Sequence, residues 1–272
     1  MISFADALVN NLETSICREF FTRLQAANKS LLMLDYDGTL APFKVARMKA
    51  VPYSGVVDRL NRLSRTGAAV VIISGRPVKE VQKLLAVRMP LEIWGCNGYE
   101  RVTSDGKYRR YRLGPEVEDA LDKVQYLIVG FGLKKRMEVK VGAVLLHWRG
   151  QRASIIETLR LFGENLFDIY TIQGKTEVKP FDGGIELRAT SRDKGLVVRE
   201  LSANLDADTP AAYLGDDTTD EDAFAALRDD DLPVLVRREF RPSKAKAWLK
   251  PPRDLLKFLD LWEKSIKFNT KG

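Results

Sequence analysis

Three short apolar runs, each closed by a polar loop that contains a glycine, constrain this chain most. Leu31–Leu34 runs into Asp35-Tyr36-Asp37-Gly38, Ala69–Ile73 into Ser74-Gly75-Arg76, and Ala211–Leu214 into Gly215-Asp216-Asp217. Such runs, bounded by turn signals, read as strands buried on both faces, the kind found in parallel sheets covered by helices. Val56–Leu63 has helical spacing at Val56, Leu60 and Leu63 and is stopped by Gly67, while Pro77 stands where a further helix begins. The same grammar returns late, with helices read at Gly195–Leu205 and Asp220–Leu227 and one more strand at Pro233–Val236. Strand, helix and strand in this order predict an α/β core with a parallel sheet, which holds its ligands beyond the C-terminal ends of its strands.

Between residues 100 and 191 the pattern changes. Val139–Trp148 alternates, Ile155–Phe162 is helix-like, Thr176–Gly184 reads as an extended hairpin, and Ile169–Ile172 and Ile185–Leu187 read as strands. These pieces predict an inserted α+β domain at 100–191, with the core formed from 1–99 and 192–272. At the front, Phe4, Leu8, Leu12, Ile16, Phe20 and Leu24 lie four apart behind Ser3 as an N-cap, which predicts an amphipathic helix.

Composition narrows the function classes. With 272 residues and 45% hydrophobic content the chain can bury a sizeable core. Its longest apolar run, Ala68–Ile73, falls far short of the roughly 20 residues that cross a membrane. Asp6, Asn10, Asn11 and Glu13 interrupt the opening residues, so no secretion leader is read and the expectation is a soluble, cytoplasmic protein. Cys17 and Cys96 have no metal-site or disulfide-framework spacing. The net charge of +7 favours anionic partners, yet the basic clusters at 107–112, 134–136 and 237–253 match no nucleic-acid motif. A small phosphorylated molecule fits better than a nucleic acid or a membrane.

The loops carry the chemistry. Asp35 and Asp37 lie two apart, and Gly38 lets the chain turn sharply after them, so one carboxylate can attack phosphorus while the other handles a proton. Attack on a phosphate dianion needs its repulsion masked, by a divalent cation on oxygen ligands and by a lysine. Asp216 and Lys194 are the candidates, and Ser74-Gly75 at a helix start offers a hydroxyl and an N–H to an anion.

Asp35-x-Asp37-Gly-Thr-Leu, Ser74-Gly-Arg, Lys194-Gly and Gly215-Asp-Asp-x-Thr-Asp220-Glu-Asp, in that order, resemble the four motifs of the haloacid dehalogenase superfamily. That resemblance implies a Rossmann-like core with an α/β cap of the C2B type. It implies Asp35 as a nucleophile that becomes an aspartyl-phosphate and Asp37 as general acid and then base. Ser74 and Lys194 would hold phosphoryl oxygens, with Gly75 and Arg76 also against the substrate. Mg²⁺ would be held by Asp35, Asp37 through its carbonyl, and Asp216, with Asp220 on its water shell.

Gly215–Phe224, together with Met137-Glu138-Val139-Lys140, His147-Trp148-Arg149 and Ile185-Glu186-Leu187-Arg188, is similar to elements of the trehalose-6-phosphate phosphatase family. This implies a phosphatase acting on trehalose 6-phosphate, Glu138, Lys140 and Glu186 as ligands of sugar hydroxyls, and a separate trehalose-6-phosphate synthase as a partner. For His147, the only histidine, the sequence leaves a packed structural role and a contact with substrate equally open, and it is not a candidate for the catalytic base. The sequence departs from the family at Ala189, at the hairpin Thr176–Gly184, and at Gly95-Cys96-Asn97-Gly98, where Asn97 is the group left to bind sugar. These departures keep glucosyl- or mannosyl-3-phosphoglycerate and sucrose 6-phosphate open as substrates, beside a non-catalytic sugar-phosphate sensor.

Overall fold

The computed structural model describes residues 12 and 14–266, apart from 45, 89 and 182. The chain opens with α1 (Ser15–Ala26), β1 (Ser30–Leu34), α2 (Val56–Leu63), β2 (Ala68–Ile73), α3 (Val78–Leu85), β3 (Glu92–Gly95), β4 (Glu100–Val102) and β5 (Tyr108–Arg110). It continues with α4 (Pro115–Gly130), β6 (Met137–Lys140), β7 (Ala143–His147), α5 (Ala153–Ile169), β8 (Thr176–Phe181) and β9 (Gly184–Ala189). Last come α6 (Lys194–Ser202), β10 (Ala211–Gly215), α7 (Glu221–Ala226), β11 (Leu232–Val236), β12 (Ala247–Leu249) and α8 (Arg253–Ser265). Two compact units result, Met1–Arg109 with Asp193–Gly272, and Arg110–Arg192.

The first unit is built on an eight-stranded sheet in the order β12-β11-β10-β1-β2-β3-β4-β5. The strands from β12 to β3 pair in parallel and β4 turns back antiparallel on β3. β1 is central: Leu31 faces Ala211 on one side and Ala69 on the other, and all five of its residues are buried. The chain crosses from β1 to β2, and β10 comes in on β1's other side from the far end of the sequence, so β1 lies at the point where strand order reverses, the usual ligand position in open α/β sheets. Val56, Leu60 and Leu63 of α2 share one apolar cluster with Phe20, Phe21 and Leu24 of α1 and Phe258, Leu259 and Trp262 of α8. Trp262 is fully buried, with its ring centroid 5.6 Å from that of Phe20, so truncating it to alanine would cost about 3–5 kcal/mol.

The second unit is a four-stranded antiparallel sheet, β6-β7-β9-β8. Val144, Leu146, Ile185 and Leu187 point to one face and are buried. Helix α5 packs there closely at Gly163, where a Cβ would come within 2.9 Å of Ile185 and 3.2 Å of Leu146.

Several expectations are corrected. The insert read from residue 100 begins at Arg110, because β4 and β5 extend the large sheet. The alternating stretch 139–148 spans the end of β6, a turn and all of β7, broken at Gly142 with a φ of 79°, a value that glycine adopts without strain. The strand expected at Ile169–Ile172 is instead the end of α5 and the turn after it, since the buried series Leu159, Gly163, Leu166 and Phe167 keeps helical spacing up to that point. In α1 the buried residues are Cys17, Phe20, Phe21 and Leu24, while Ile16 is 45% exposed: a strict spacing of four drifts off a helix that turns every 3.6 residues. Ser3, Phe4 and Leu8 lie outside the described residues. Among the described residues, no helix is long and apolar enough to cross a membrane.

Candidate active site

β1 delivers Asp35 at its C-terminal end, where the Asp35 N–H still donates to the Leu214 carbonyl at 2.9 Å. The Tyr36 carbonyl then accepts the N–H groups of Leu40 and Ala41, which closes a turn around Gly38. Gly38 has a φ of 81°, and a Cβ there would lie 2.0 Å from Asp216 Oδ2. Only a glycine both makes this turn and leaves room for the Asp216 carboxylate.

Lys194 opens α6, whose N-cap Asp193 accepts the Leu196 N–H at 2.6 Å. Its buried ammonium donates to Asp35 Oδ1 and to Asp220 Oδ1, both at 2.7 Å. Asp220 is fully buried, and its carboxylate takes two further kinds of bond. Oδ1 also accepts the Tyr213 hydroxyl at 2.6 Å, and Oδ2 accepts the N–H groups of Asp216 and Asp217, each at 2.9 Å. Asp35, Asp216 and Asp220 each offer an oxygen within 4.8 Å of the others. Asp217 turns away to cap its own loop, accepting the Thr218 N–H at 2.8 Å.

Three buried carboxylates beside one ammonium leave an excess of negative charge. Burial, and next to it the charge of Asp220, push the Asp35 carboxyl up to about 7 against the opposing pull of Lys194. Burial also raises Asp216 well above the usual carboxylate range, helped by Asp35 and Asp220. Desolvation works against the charged form of Lys194, but Asp220 and Asp35 outweigh it and hold the ammonium protonated. A buried, oxygen-only set with uncompensated negative charge fits a hard divalent cation. Asp35 and Asp216 are the carboxylates best suited to it, because both Asp220 oxygens already accept bonds from protein donors.

Asp37 is held differently. Arg76 grips it with a fork, Nε to Oδ2 at 2.6 Å and Nη2 to Oδ1 at 2.7 Å, while Nη1 reaches Glu80 at 3.2 Å and the guanidinium lies over the Tyr36 ring. Arg76, expected against substrate, is thus buried and engaged with the partly exposed Asp37 carboxylate. Its loop is fixed on both sides: Ser74 Oγ accepts the Arg76 N–H at 3.1 Å, and the Ser74 N–H donates to the Trp94 carbonyl at 2.8 Å. Cys96, Asn97 and Gly98 follow one another at left-handed φ values of 50°, 54° and 101°. Their turn is stitched to the same loop, with the Asn97 N–H donating to the Ser74 carbonyl at 3.0 Å and the Cys96 N–H to the Arg76 carbonyl at 2.9 Å. A Cβ on Gly75 would sit 3.4 Å from Asn97 Oδ1, so the amide of Asn97 lies over the bare Gly75 backbone.

Glu138, Lys140 and Glu186 belong to the second unit and share one face of its sheet. Register aligns Glu138, Leu145, Glu186 and Lys179 in one row and Lys140, Ala143, Arg188 and Glu177 in the next. Opposite charges alternate along this face. Arg188 lies 2.7 Å from Glu177, and Lys140 lies 3.6 Å from Glu138. His147, whose role the sequence left open, stands at the same face with Nε2 2.9 Å from Glu138 Oε2. It ends its strand there, which a single long strand through Trp148 did not suggest.

Sequence reasoning missed Tyr213, Arg237 and Arg241. The signal for Tyr213 was available, as a hydroxyl in an otherwise apolar strand. Arg237 and Arg241 were read with a basic surface, although both donate to the Asp216 carbonyl, at 3.3 and 3.4 Å.

Comparisons with known proteins bear on this arrangement. The trehalose-phosphatase family profile matches residues 33–129. A trehalose-phosphate phosphatase of Mycolicibacterium paratuberculosis is 28% identical over 250 residues, covering 82% of this chain and 59% of that protein. An alpha,alpha-trehalose-phosphate synthase [UDP-forming] B of Dictyostelium discoideum is 27% identical over 233 residues, 79% of this chain and 28% of its own length. The chain therefore spans less than two thirds of either protein. A crystal structure of a trehalose-6-phosphate phosphatase related protein superposes with a TM-score of 0.69 at 25% identity, covering 86% of this chain and 97% of that one. The C-terminal domain of the Candida albicans trehalose-6-phosphate phosphatase superposes at 0.71 with 21% identity, over 92% and 97% of the two chains. A haloacid dehalogenase-like hydrolase from Bacillus subtilis aligns at 0.58 with 14% identity, over 85% and 99%.

Proposed function

Because this chain is related to the trehalose-phosphatases and has the fold of the haloacid dehalogenase-like hydrolases, we propose that it is a Mg²⁺-dependent phosphatase that releases phosphate from trehalose 6-phosphate. One observation carries the reading: Lys194 bridges Asp35 and Asp220 at 2.7 Å in a buried site that also holds Asp216. A buried cluster of this charge costs stability, and such clusters concentrate at functional sites.

In this reading the Asp35 carboxylate attacks phosphorus. The new bond joins Asp35 to the phosphoryl group, and the bond from phosphorus to the sugar oxygen breaks. Asp37, once it leaves the Arg76 fork and takes a proton from solvent, gives that proton to the leaving oxygen, then removes one from the water whose attack on phosphorus breaks the bond to Asp35. Lys194 and Ser74 bind the phosphoryl oxygens, and Asp220 keeps Lys194 aimed at them. Arg76 steers the Asp37 carboxylate through its two-bond fork. The carboxylates of Asp35 and Asp216 and the Asp37 carbonyl would hold Mg²⁺, which when bound offsets the negative charge of the phosphate. Glu138, Lys140 and Glu186 bind sugar hydroxyls, a task suited to charged groups that form several hydrogen bonds each.

The test is Mg²⁺-dependent phosphate release from trehalose 6-phosphate beside glucose 6-phosphate, sucrose 6-phosphate and glucosyl-3-phosphoglycerate. A strong preference for trehalose 6-phosphate supports the reading in full. Activity on another of these compounds alone keeps the chemistry and overturns the sugar, and binding without release supports a sensor instead.

A further inference from the structure

The loop that carries Asp216 is fixed on both sides of its backbone. On the N–H side, Asp220 Oδ2 accepts from Asp216 and Asp217 at 2.9 Å each. On the carbonyl side, Arg241 Nη2 donates to the Asp217 carbonyl at 2.7 Å and Nε to the Asp216 carbonyl at 3.4 Å, where Arg237 adds a bond at 3.3 Å. Arg241 comes from the connection between β11 and β12, and it is braced in turn: Nη1 donates to Glu221 Oε1 at 2.5 Å. Glu221 is held by the Ser243 hydroxyl and the Lys244 N–H, both at 2.8 Å. Arg241 and Glu221 are each about four-fifths buried, and a planar fork so placed loses little freedom for each bond it makes.

We propose that Arg241 is a positioning residue for cation binding: it locks the 216–217 peptide so that the Asp216 carboxylate is held ready for a divalent ion. The proposal rests on the reading of Asp35 and Asp216 as the residues that hold that ion. A group that orients a metal ligand is worth about 10–100-fold in metal affinity. Charge alone argues the other way, since a guanidinium near a cation site repels the ion and its removal would tighten binding. The two roles therefore predict opposite signs.

The experiment titrates the full-length protein with Mn²⁺ and with Mg²⁺ by calorimetry, without substrate, for the wild type, Arg241→Ala and Arg241→Lys. Positioning predicts affinity weakened about tenfold or more in Arg241→Ala and several-fold in Arg241→Lys, which keeps the charge and loses the fork. Unchanged or tighter binding by Arg241→Ala overturns the proposal. Should that variant not fold, as read by circular dichroism, Arg241→Lys decides: weaker binding supports the positioning role and wild-type affinity overturns it. A wild type that binds neither ion overturns the cation reading itself and the proposal with it, a result distinct from equal affinities in wild type and variant.

Discussion

The two units spend their charged residues in opposite ways. In the first, groups far apart in sequence meet in a buried cluster: Lys194 touches Asp35, 159 residues away, and Asp220, 26 residues away. In the second, charges sit side by side on one sheet face and pair with neighbours in the ladder, as Arg188 does with Glu177. The buried cluster is fixed from many sides and desolvated, which suits bond making. The sheet face buries its charges less deeply, with Glu138 19% and Lys140 16% exposed against 5% for Lys194 and Asp35, and the looser Lys140–Glu138 pair, 3.6 Å apart, gives way more readily to ligand hydroxyls. Chemistry and recognition would thus rest on different physical foundations, and substitutions should separate them.

The largest contrast is in turnover. Asp35→Asn keeps the shape and removes the nucleophile, so steady-state assays should find activity lowered by a factor on the order of 10⁴ to 10⁶. Glu138→Gln on the sheet face should instead raise KM about tenfold and leave kcat nearly unchanged, the pattern of lost ground-state binding. Equal kinetic profiles for the two variants would erase the division.

Stability should follow the same line. Lys194→Met strands Asp35 and Asp220 without their cation, and denaturant melts should record a loss of about 3–5 kcal/mol in metal-free protein. Lys179→Met on the sheet face, where the lysine is 41% exposed and 3.6 Å from Glu177, should change stability by no more than about 1 kcal/mol. A comparable loss at both sites would mean that the sheet-face pairs are structural.

A dependence on pH belongs to the buried cluster alone. Unfolded carboxylates titrate near pH 4, whereas Asp35 in the fold is pushed up to about 7 and Asp216 moves the same way. Between those values the folded protein binds more protons than the unfolded chain, so its stability falls as pH rises from about 4 to 7 and levels off above. Thermal melts of metal-free protein should show this decline, and Mg²⁺ added at pH 7 should reverse it by binding the ionised carboxylates. A Tm that rises across this range would contradict the burial argument.

Much of the first unit was legible because buried parallel strands leave continuous apolar runs: Leu31–Leu34 and Ala211–Leu214 needed only one residue added at an end. The strand ends also exposed Asp35, Ser74, Lys194 and Asp216 to reading, since each follows or opens such an element. Helix α4 was not read, although Pro115 follows Gly114 and Val117, Leu121, Val124 and Ile128 are buried at helical spacing, because a half-polar helix is hard to separate from loop by pattern alone. Long-range partners were harder still. The Arg76 fork on Asp37 spans 39 residues and the Arg241 bond to Asp217 spans 24, and no local periodicity reports such pairs. The role of His147 stayed open for a related reason: strand register, invisible in a single sequence, decides that it faces Glu138.

The central claim is that Asp35 takes the phosphoryl group. It is tested most directly by quenching a reaction with trehalose 6-phosphate in acid, trapping acyl-phosphate with borohydride and mapping the modified residue by mass spectrometry. The account predicts modification at Asp35 that disappears when Mg²⁺ is chelated. Phosphate release with Asp35 unmodified, or a phosphoryl group found on Ser74, would contradict it.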